Sequence, residues 1–451
     1  MPVYMIGKSL KVLFDPSAWF GNASAMLLKG LLVAYNLVWF LVNGYNIYPL
    51  IKSTLSKDRK DNDEEEYEKY IQKMAELPKL SVLVPAYHEE NVLERCINRL
   101  RNSNYPKDNL DLIILTEMDD KETSAIAQKC VKKYHAKHVY IKETGEPKGK
   151  PRALKQGLKH ADGEIVGVID AEDIIDPDLF RHVAFEIKEK GNDAIQGKLD
   201  MTNDDDGWKN MQFRAEYGYW YNHYLPCLAK SKLPIPLGGT TNFFKKKVLE
   251  EIDDWDAYNL TEDFELGLRL YNLTPKEETH LKEYSVAVFN SVTREESPLT
   301  WQGWIKQRTR WQRGKIQTLK KVMKNPNRGV GKTTNSLMAC ILPHIAVINI
   351  TGIIVCLIAA LSQATLPLPF AVLSYINITT IPYYCIRQGV GYLKATNNEE
   401  IKYRKTKAVI VAVTLPVYWG FQWAADLRAL KQEYFDKRIF WEKTEHVGRA
   451  A

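Results

Sequence analysis

Long apolar runs stand toward both ends of this chain with a strongly charged stretch between them, and that arrangement limits the fold more than any average does. A water-soluble unit must be carried between membrane-embedded helices. The first run extends from Ala25 to about Ile51, interrupted by Lys29, Asn36, Asn43 and Asn46 and carrying Tyr35, Trp39 and Tyr45. At roughly 1.5 Å per residue it crosses about 30 Å of hydrocarbon. A cleaved leader would begin earlier, with basic residues ahead of a shorter core, so the run predicts a permanent anchor. Beyond Pro298 the chain becomes aromatic and basic, then apolar three more times, over 336–362, 366–386 and 408–425. Pro343, Pro369, Pro382 and Pro416 predict kinks there, and about four spans are expected in all. The loop 387–407 holds Arg387, Lys394, Lys402, Arg404, Lys405 and Lys407, which predicts a cytoplasmic position. The tail beyond Asp426 is basic too; a re-entrant or interfacial segment would put loop and tail on one side, and the parity stays open.

Composition excludes several classes. At 451 residues the chain is too long for a disulfide-stapled miniprotein, and with 45% apolar residues it is too apolar for a disordered one. The six cysteines form no C-x-x-C pair and have no histidine at zinc-site spacing, so they read as reduced and structural. A net charge of +7 suits an anionic membrane face or a phosphorylated substrate. Nucleic-acid binding would need a stronger, clustered bias and a recognition motif, so no nucleic-acid partner is expected.

Within the charged middle, SVLVPAY from Ser81, DLIILTE (111–117) and GEIVGVID (163–170) read as short buried strands. Helical segments are expected at 89–102, 122–135 and 151–160. This alternation predicts an α/β fold with a parallel sheet wound by helices on both faces, whose sites lie at the carboxyl ends of the strands. Those ends carry acids. Asp119 and Asp120 follow the second strand, where a carboxylate serves a nucleobase or ribose, or else caps the next helix. Asp170, Glu172 and Asp173 cluster after the third strand, a hard-oxygen set suited to Mg²⁺ or Mn²⁺ beside a diphosphate, or a solvated turn. Thr261-Glu262-Asp263 precedes the periodic FELGLRL, so Asp263 is either a helix cap or a general base. In QRTRW (307–311), Gln307, Arg310 and Trp311 share one helix face at i, i+3 and i+4. A guanidinium clasps a diphosphate and an indole offers a sugar ring a flat face, while the bland alternative is a basic helix on anionic lipid. WKNMQFRAEYGYWYNHYL (208–225) and WQGWIKQRTRW (301–311) are rich in residues that settle at the lipid–water boundary, and are expected to lie flat there. GVGKTT (329–334) is not a phosphate loop, since Pro326 stands where glycine is needed, and Asp204–Asp206 reads as a loop.

The order of these motifs resembles the membrane-integrated family 2 glycosyltransferases, the group that includes cellulose, hyaluronan and poly-N-acetylglucosamine synthases. The resemblance rests on VPAYHEE (84–90), MDD (118–120), KGKPRAL (148–154), DAED (170–173), PIPLGGTTNFF (234–244), WDAYNLTEDFELGLRL (255–270), QRTRW and the closing YFDKRIFWEKTEH (434–446). It implies a GT-A, Rossmann-like domain inserted between N- and C-terminal transmembrane helices, facing the cytoplasm at the cell membrane. The implied organisation is an N-terminal region with one span (1–52), a charged linker (53–79), the catalytic domain (80–297), interfacial helices (298–335), transmembrane helices (336–430) and a basic tail (431–451).

By the same resemblance, Pro85, Ala86, Asp120, Lys150, Arg152, Asp170 and Arg310 bind a UDP-sugar. Asp170 and Glu172 hold Mg²⁺ or Mn²⁺, with Asp173 the rival of Glu172, and Asp263 is the base. Gly239, Thr240, Glu262, Gln307 and Trp311 meet the acceptor. His88 stands where relatives more often carry Asn. The implied reaction is inverting transfer to a growing β-linked polysaccharide, with a glycolipid synthase acting once on a diacylglycerol-like or polyprenyl lipid as the alternative. The partners are then the donor, a polysaccharide or lipid acceptor and membrane lipids.

Overall fold

The computed structural model describes residues 16–55, 63–72, 77–203, 207–273, 283–325, 329–361, 368–397, 399 and 401–436. The Asp204–Asp206 loop, much of the charged linker and the tail beyond Asp436 lie outside the described residues.

The strands are β1 (Leu80–Ala86), β2 (Leu110–Glu117), β3 (Lys137–Ile141), β4 (Ile165–Val168), β5 (Ala194–Met201), β6 (Asn242–Lys245) and β7 (Val286–Glu295). The helices before the C-terminal set are α1 (Pro16–Leu55), α2 (Asp63–Gln72), α3 (Leu93–Arg101), α4 (Lys121–Tyr134), α5 (Lys150–Leu158), α6 (Leu179–Ala184), α7 (Trp208–Tyr219), α8 (Leu225–Lys230), α9 (Lys246–Glu251) and α10 (Glu262–Asn272). After them come α11 (Trp301–Lys324), α12 (Val330–Ile341), α13 (Ile345–Leu361), α14 (Leu368–Ala395), α15 (Arg404–Val413) and α16 (Leu415–Lys431).

The sheet order is β3-β2-β1-β4-β6-β5-β7. The first four strands are parallel, with Leu80 opposite both Leu110 and Ile165. The all-parallel expectation needs correction, because β6 runs antiparallel to both β4 and β5. Alternation along the strands divides the core. Val82, Val84, Leu112 and Ile114 pack under α3 and α6, whereas Leu83, Ile113 and Leu115 face α5 and a larger core. This larger core runs on into Val42, Trp304, Leu342, Ile345, Tyr384 and Trp419 of the flanking helices. Sheet and apolar helices are therefore one packed body.

The polar interruptions of the first apolar run find their partners across that body. Ser374 donates to Asn36, Tyr384 to Asn43 at 2.8 Å and Arg387 to Asn46 at 3.0 Å, so the asparagines form the seam between α1 and α14. Glycines set a second seam. A Cβ on Gly218 of α7 would lie 2.2 Å from the Gly391 carbonyl oxygen of α14, and one on Gly391 equally close to that of Ala215.

Among the described residues two helices are long and apolar enough to cross a membrane, Gly30–Leu55 and Val330–Ile358. There are three if Arg404–Val413 and Leu415–Asp436, bent by 55°, form one span. Fewer than the expected four are thus found among the described residues: the segment at 366–386, helical in α14 from Leu368, is not one of these candidates and carries Asn377, Thr379, Thr380, Tyr383 and Tyr384. Two of the proline expectations coincide with breaks, Pro343 in the turn between α12 and α13 and Pro416 just past the bend into α16, whereas Pro382 lies inside the continuous helix α14. The aromatic segments at 208–225 and 301–311, expected at the lipid boundary, point many rings inward instead. Phe213, Tyr219, Tyr221, Tyr224 and Trp304 are buried in the shared core, where more apolar area leaves water than at a membrane surface.

Candidate active site

The ends of β1, β4 and β7 and the starts of α5 and α10 surround one cavity of about 670 Å³ whose other wall is α7, α11 and α16. Pro85 and Ala86 close it at the end of β1. The turn after them holds His88 at φ 56°, a left-handed conformation that asparagine enters more readily. Asp120 pins this turn without lining the cavity: it is 2% exposed, accepts the His88 N–H at 2.6 Å and caps α4 through Thr123 N–H at 3.1 Å. The helix-cap alternative is therefore what its side chain does here. Asp119 beside it pairs with Lys148, which holds its carboxyl below the usual range.

Arg152 does not reach the cavity either. Its Nη2 grips both Glu117 oxygens at 2.8 and 2.7 Å, so that Glu117 rather than Arg152 forms part of the wall. The correction has a plain cause, since at 4% exposure the guanidinium needs the carboxylate as its counter-ion. Lys150, at the first turn of α5, does face inward, pairing with Asp170 and donating to the Gly239 carbonyl at 2.8 Å.

After β4 the three acids separate. Asp170 and Glu172 line the cavity, while Asp173 is 1% exposed and braces the strand end. Asp173 accepts the Asp170 N–H at 2.9 Å and the Thr240 hydroxyl, and burial, then the charges of Asp170 and Glu172, push its carboxyl well up. Glu172, not Asp173, therefore shares the wall with Asp170. Two hard carboxylates on one wall are the donor chemistry Mg²⁺ or Mn²⁺ takes, so these residues fit such an ion. His88, Glu90 and Asp120 also bring ligand atoms within 4.8 Å of one another, but both Asp120 oxygens already accept backbone N–H groups.

The segment 238–242 threads between these acids and α10. Gln196 holds it, accepting the Gly238 N–H at 2.8 Å and donating to the Thr240 carbonyl at 3.0 Å. Gly239 passes so near that a Cβ there would lie 3.5 Å from Asp263 Oδ2. Glu262 and Asp263 open α10 side by side and both line the cavity. Burial, then the neighbouring Asp263, pushes Glu262 up to about 7. Asp263 is also raised by burial, against the Phe264 N–H at 2.8 Å and the charges of Lys150 and Arg310.

Helix α11 presents Gln307, Arg310 and Trp311 to the cavity, as their spacing predicts. The stripe was legible but its extent was not. Arg308 and Lys315 belong to the same wall, as do Glu216, Glu295, Glu296 and Arg387. Lys315 could have been found by extending the stripe one turn from Trp311, whereas Glu295 ends and Glu296 follows a strand that no sequence pattern had marked. From these polar groups the cavity continues among the apolar helices, past Leu342, Pro343 and Ile345 and past Leu415, Tyr418 and Trp419.

Residues 78–314 match the family described as glycosyltransferase-like family 2. Among curated proteins the chain is 29% identical over 260 residues to the probable glycosyltransferase YdaM of Bacillus subtilis, covering 54% of this chain and 57% of that one. It thus spans little more than half the length of that relative. It is 23% identical over 391 residues to the beta-monoglucosyldiacylglycerol synthase of Nostoc sp., covering 85% of this chain and 79% of that one. In fold it is similar to the mannosyltransferase PcManGT from Pyrobaculum calidifontis, solved with GDP-Man and Mn²⁺, at a TM-score of 0.56 and 15% identity over 90% of this chain and 100% of that one.

Proposed function

The chain belongs to glycosyltransferase family 2, and from that premise we propose that it transfers one glycosyl unit from a UDP-sugar to the headgroup of a membrane lipid. The observation that carries this reading is the continuity of the cavity, whose one end is walled by the strand-end acids and whose other runs between α16 and the turn that leads into α13. A polysaccharide synthase was the leading expectation from sequence. Two or three candidate spans among the described residues leave little for a polymer channel, and the lipid alternative gains support from the alignment with a glucosyldiacylglycerol synthase over 85% of this chain.

In this reading Lys150, Asp170 and Arg310 surround the diphosphate, with Pro85, Ala86 and Glu117 on the nucleoside side. Asp170 and Glu172 would hold Mg²⁺ or Mn²⁺, which when bound neutralises diphosphate charge. Asp263 takes the proton of the acceptor hydroxyl as its oxygen attacks the anomeric carbon, and the bond to UDP breaks with its electron pair leaving on the diphosphate. The configuration inverts. Lys150 and Arg310 are fixed before the charge develops, which is where electrostatic catalysis is most effective. Gly239, Thr240 and Glu262 shape the acceptor side, Gln307 offers hydrogen bonds and Trp311 a stacking face. The basic residues over 387–407, in the last turns of α14, the connection and the start of α15, support a cytoplasmic position for the catalytic unit, where nucleotide sugars are available.

The test is to incubate membranes holding the full chain with a panel of UDP-sugars and Mn²⁺ or Mg²⁺ and then partition the product. Label in a small, solvent-extractable product is expected. Label in solvent-insoluble material of high mass would restore the polysaccharide reading.

A further inference from the structure

The wall of the cavity formed by α11 carries two cations that the mechanism above does not use. Arg308 and Lys315 stand two turns apart on α11 with Trp311 between them. The guanidinium carbon lies 4.8 Å and the ammonium 5.9 Å from the centre of the same indole ring, and all three side chains line the cavity. Arg308 is 7% exposed; its Nη1 donates to Glu216 at 2.7 Å, while Nε and Nη2 have no partner among the described residues. Lys315 makes no hydrogen bond or ion pair among the described residues, and burial, then the charge of Arg308, brings its ammonium down to about 8.

Of the acids nearby, none is paired with Lys315 among the described residues. Glu216 accepts from Arg308 and Tyr418, Asp426 is bonded by His344 at 2.5 Å, and Asp263 is the base. Arg308 and Lys315 thus face one volume with the single charge of Glu216, held by Arg308, between them, and the unpartnered Arg308 Nε and Nη2 and the unpaired Lys315 ammonium make that volume a site for an anion. Directly beyond, Leu342, Pro343 and Ile345 give the cavity an apolar stretch suited to a hydrocarbon chain.

We propose that Arg308 and Lys315 bind a phosphate of the acceptor, so that the acceptor is an anionic, phosphate-bearing lipid rather than a neutral glyceride. The proposal rests on the lipid reading above and names its substrate class. Two sources share the chemistry. In a glycerophospholipid the phosphate is a handle and a headgroup hydroxyl attacks, giving its proton to Asp263. In a polyprenyl phosphate the phosphate oxygen itself attacks, so that no proton is removed. In both, the bond from the anomeric carbon to UDP breaks with its electron pair on UDP as the new carbon–oxygen bond forms.

The experiment uses the full-length protein in non-ionic detergent micelles with the UDP-sugar it accepts, offering dioleoylphosphatidylglycerol, undecaprenyl phosphate or dioleoylglycerol. One phosphate lipid should exceed dioleoylglycerol in kcat/KM by at least about tenfold, as expected for a desolvated charge pair. Lys315→Gln should collapse that preference by raising KM for the phosphate lipid, and Lys315→Arg should restore most of it. Which phosphate lipid is labelled identifies the source. Equal or better use of dioleoylglycerol, or a Lys315→Gln loss that falls equally on both lipid classes, overturns the proposal. Label found only in solvent-insoluble polymer overturns the lipid reading itself, and this proposal with it.

Discussion

Glu262 and Asp263 sit next to each other at the head of α10, both buried, so neither ionises independently of the other. A base must be unprotonated to act. Because both carboxyls are raised, with Glu262 at about 7, kcat/KM should fall as the pH drops below neutrality. Glu262→Gln removes the like charge and should move that acid limb to lower pH, whereas Lys150→Met removes a favourable cation and should move it higher. A pH–rate profile reads both shifts, and a limb that moves in neither variant would show that this pair does not set it. Asp170→Asn should weaken metal-dependent UDP binding measured by titration with Mn²⁺, leaving the metal-free component in place. At this scale the sequence was informative where a residue touches the cavity through its own motif, as with Asp170, Glu172, Asp263, Arg310 and Trp311. It did not show that Asp120 and Arg152 are held back from the cavity, since their partners, the His88 N–H and Glu117, come from other segments and meet them only once the strands align.

Among the elements, α11 and the loop ahead of α10 make the decisive contact. A Cβ on Gly314 would meet Thr261 Oγ1 at 2.3 Å and its backbone nitrogen at 2.6 Å, so the helix carrying QRTRW reaches the loop carrying Glu262 and Asp263 only because residue 314 has no side chain. Gln317 accepts the Leu260 N–H at 3.1 Å and Thr318 accepts from Asn259 at 2.9 Å, fastening the same contact. Gly314→Val should cost about 1–3 kcal/mol in thermal unfolding through overpacking and lower kcat at temperatures where the protein stays folded. Wild-type kcat with an unchanged melting point would contradict the contact. The strands with continuous apolar runs, β1, β2 and β4, were legible in sequence because burial on both faces leaves that pattern. The antiparallel insertion of β6 was not, since NFFK is too short to report a direction. Nor was β3, whose residues are mostly half-exposed at the sheet edge.

For the whole molecule, the informative feature is that the sheet and the apolar helices share one core and one cavity. Arg214 of α7 ties Asp200 at the end of β5 to Glu399 in the connection between α14 and α15, at 2.8 and 2.6 Å. The α7–α14 glycine seam brings the same two parts into backbone contact. Apolar runs in sequence announced the helices, but the packing of α14 against α1 and α7 was not legible there, because hydropathy does not report which neighbour a helix face meets. The central claim is that the acids at the strand ends, α10 and α11 form one reaction centre with Asp263 as its base. The most direct test measures acceptor-dependent sugar transfer and UDP affinity side by side in the wild-type chain and in Asp263→Asn. Loss of a general base should lower transfer by about 10²–10⁴-fold with UDP affinity nearly unchanged. Transfer at the wild-type rate in Asp263→Asn would contradict it.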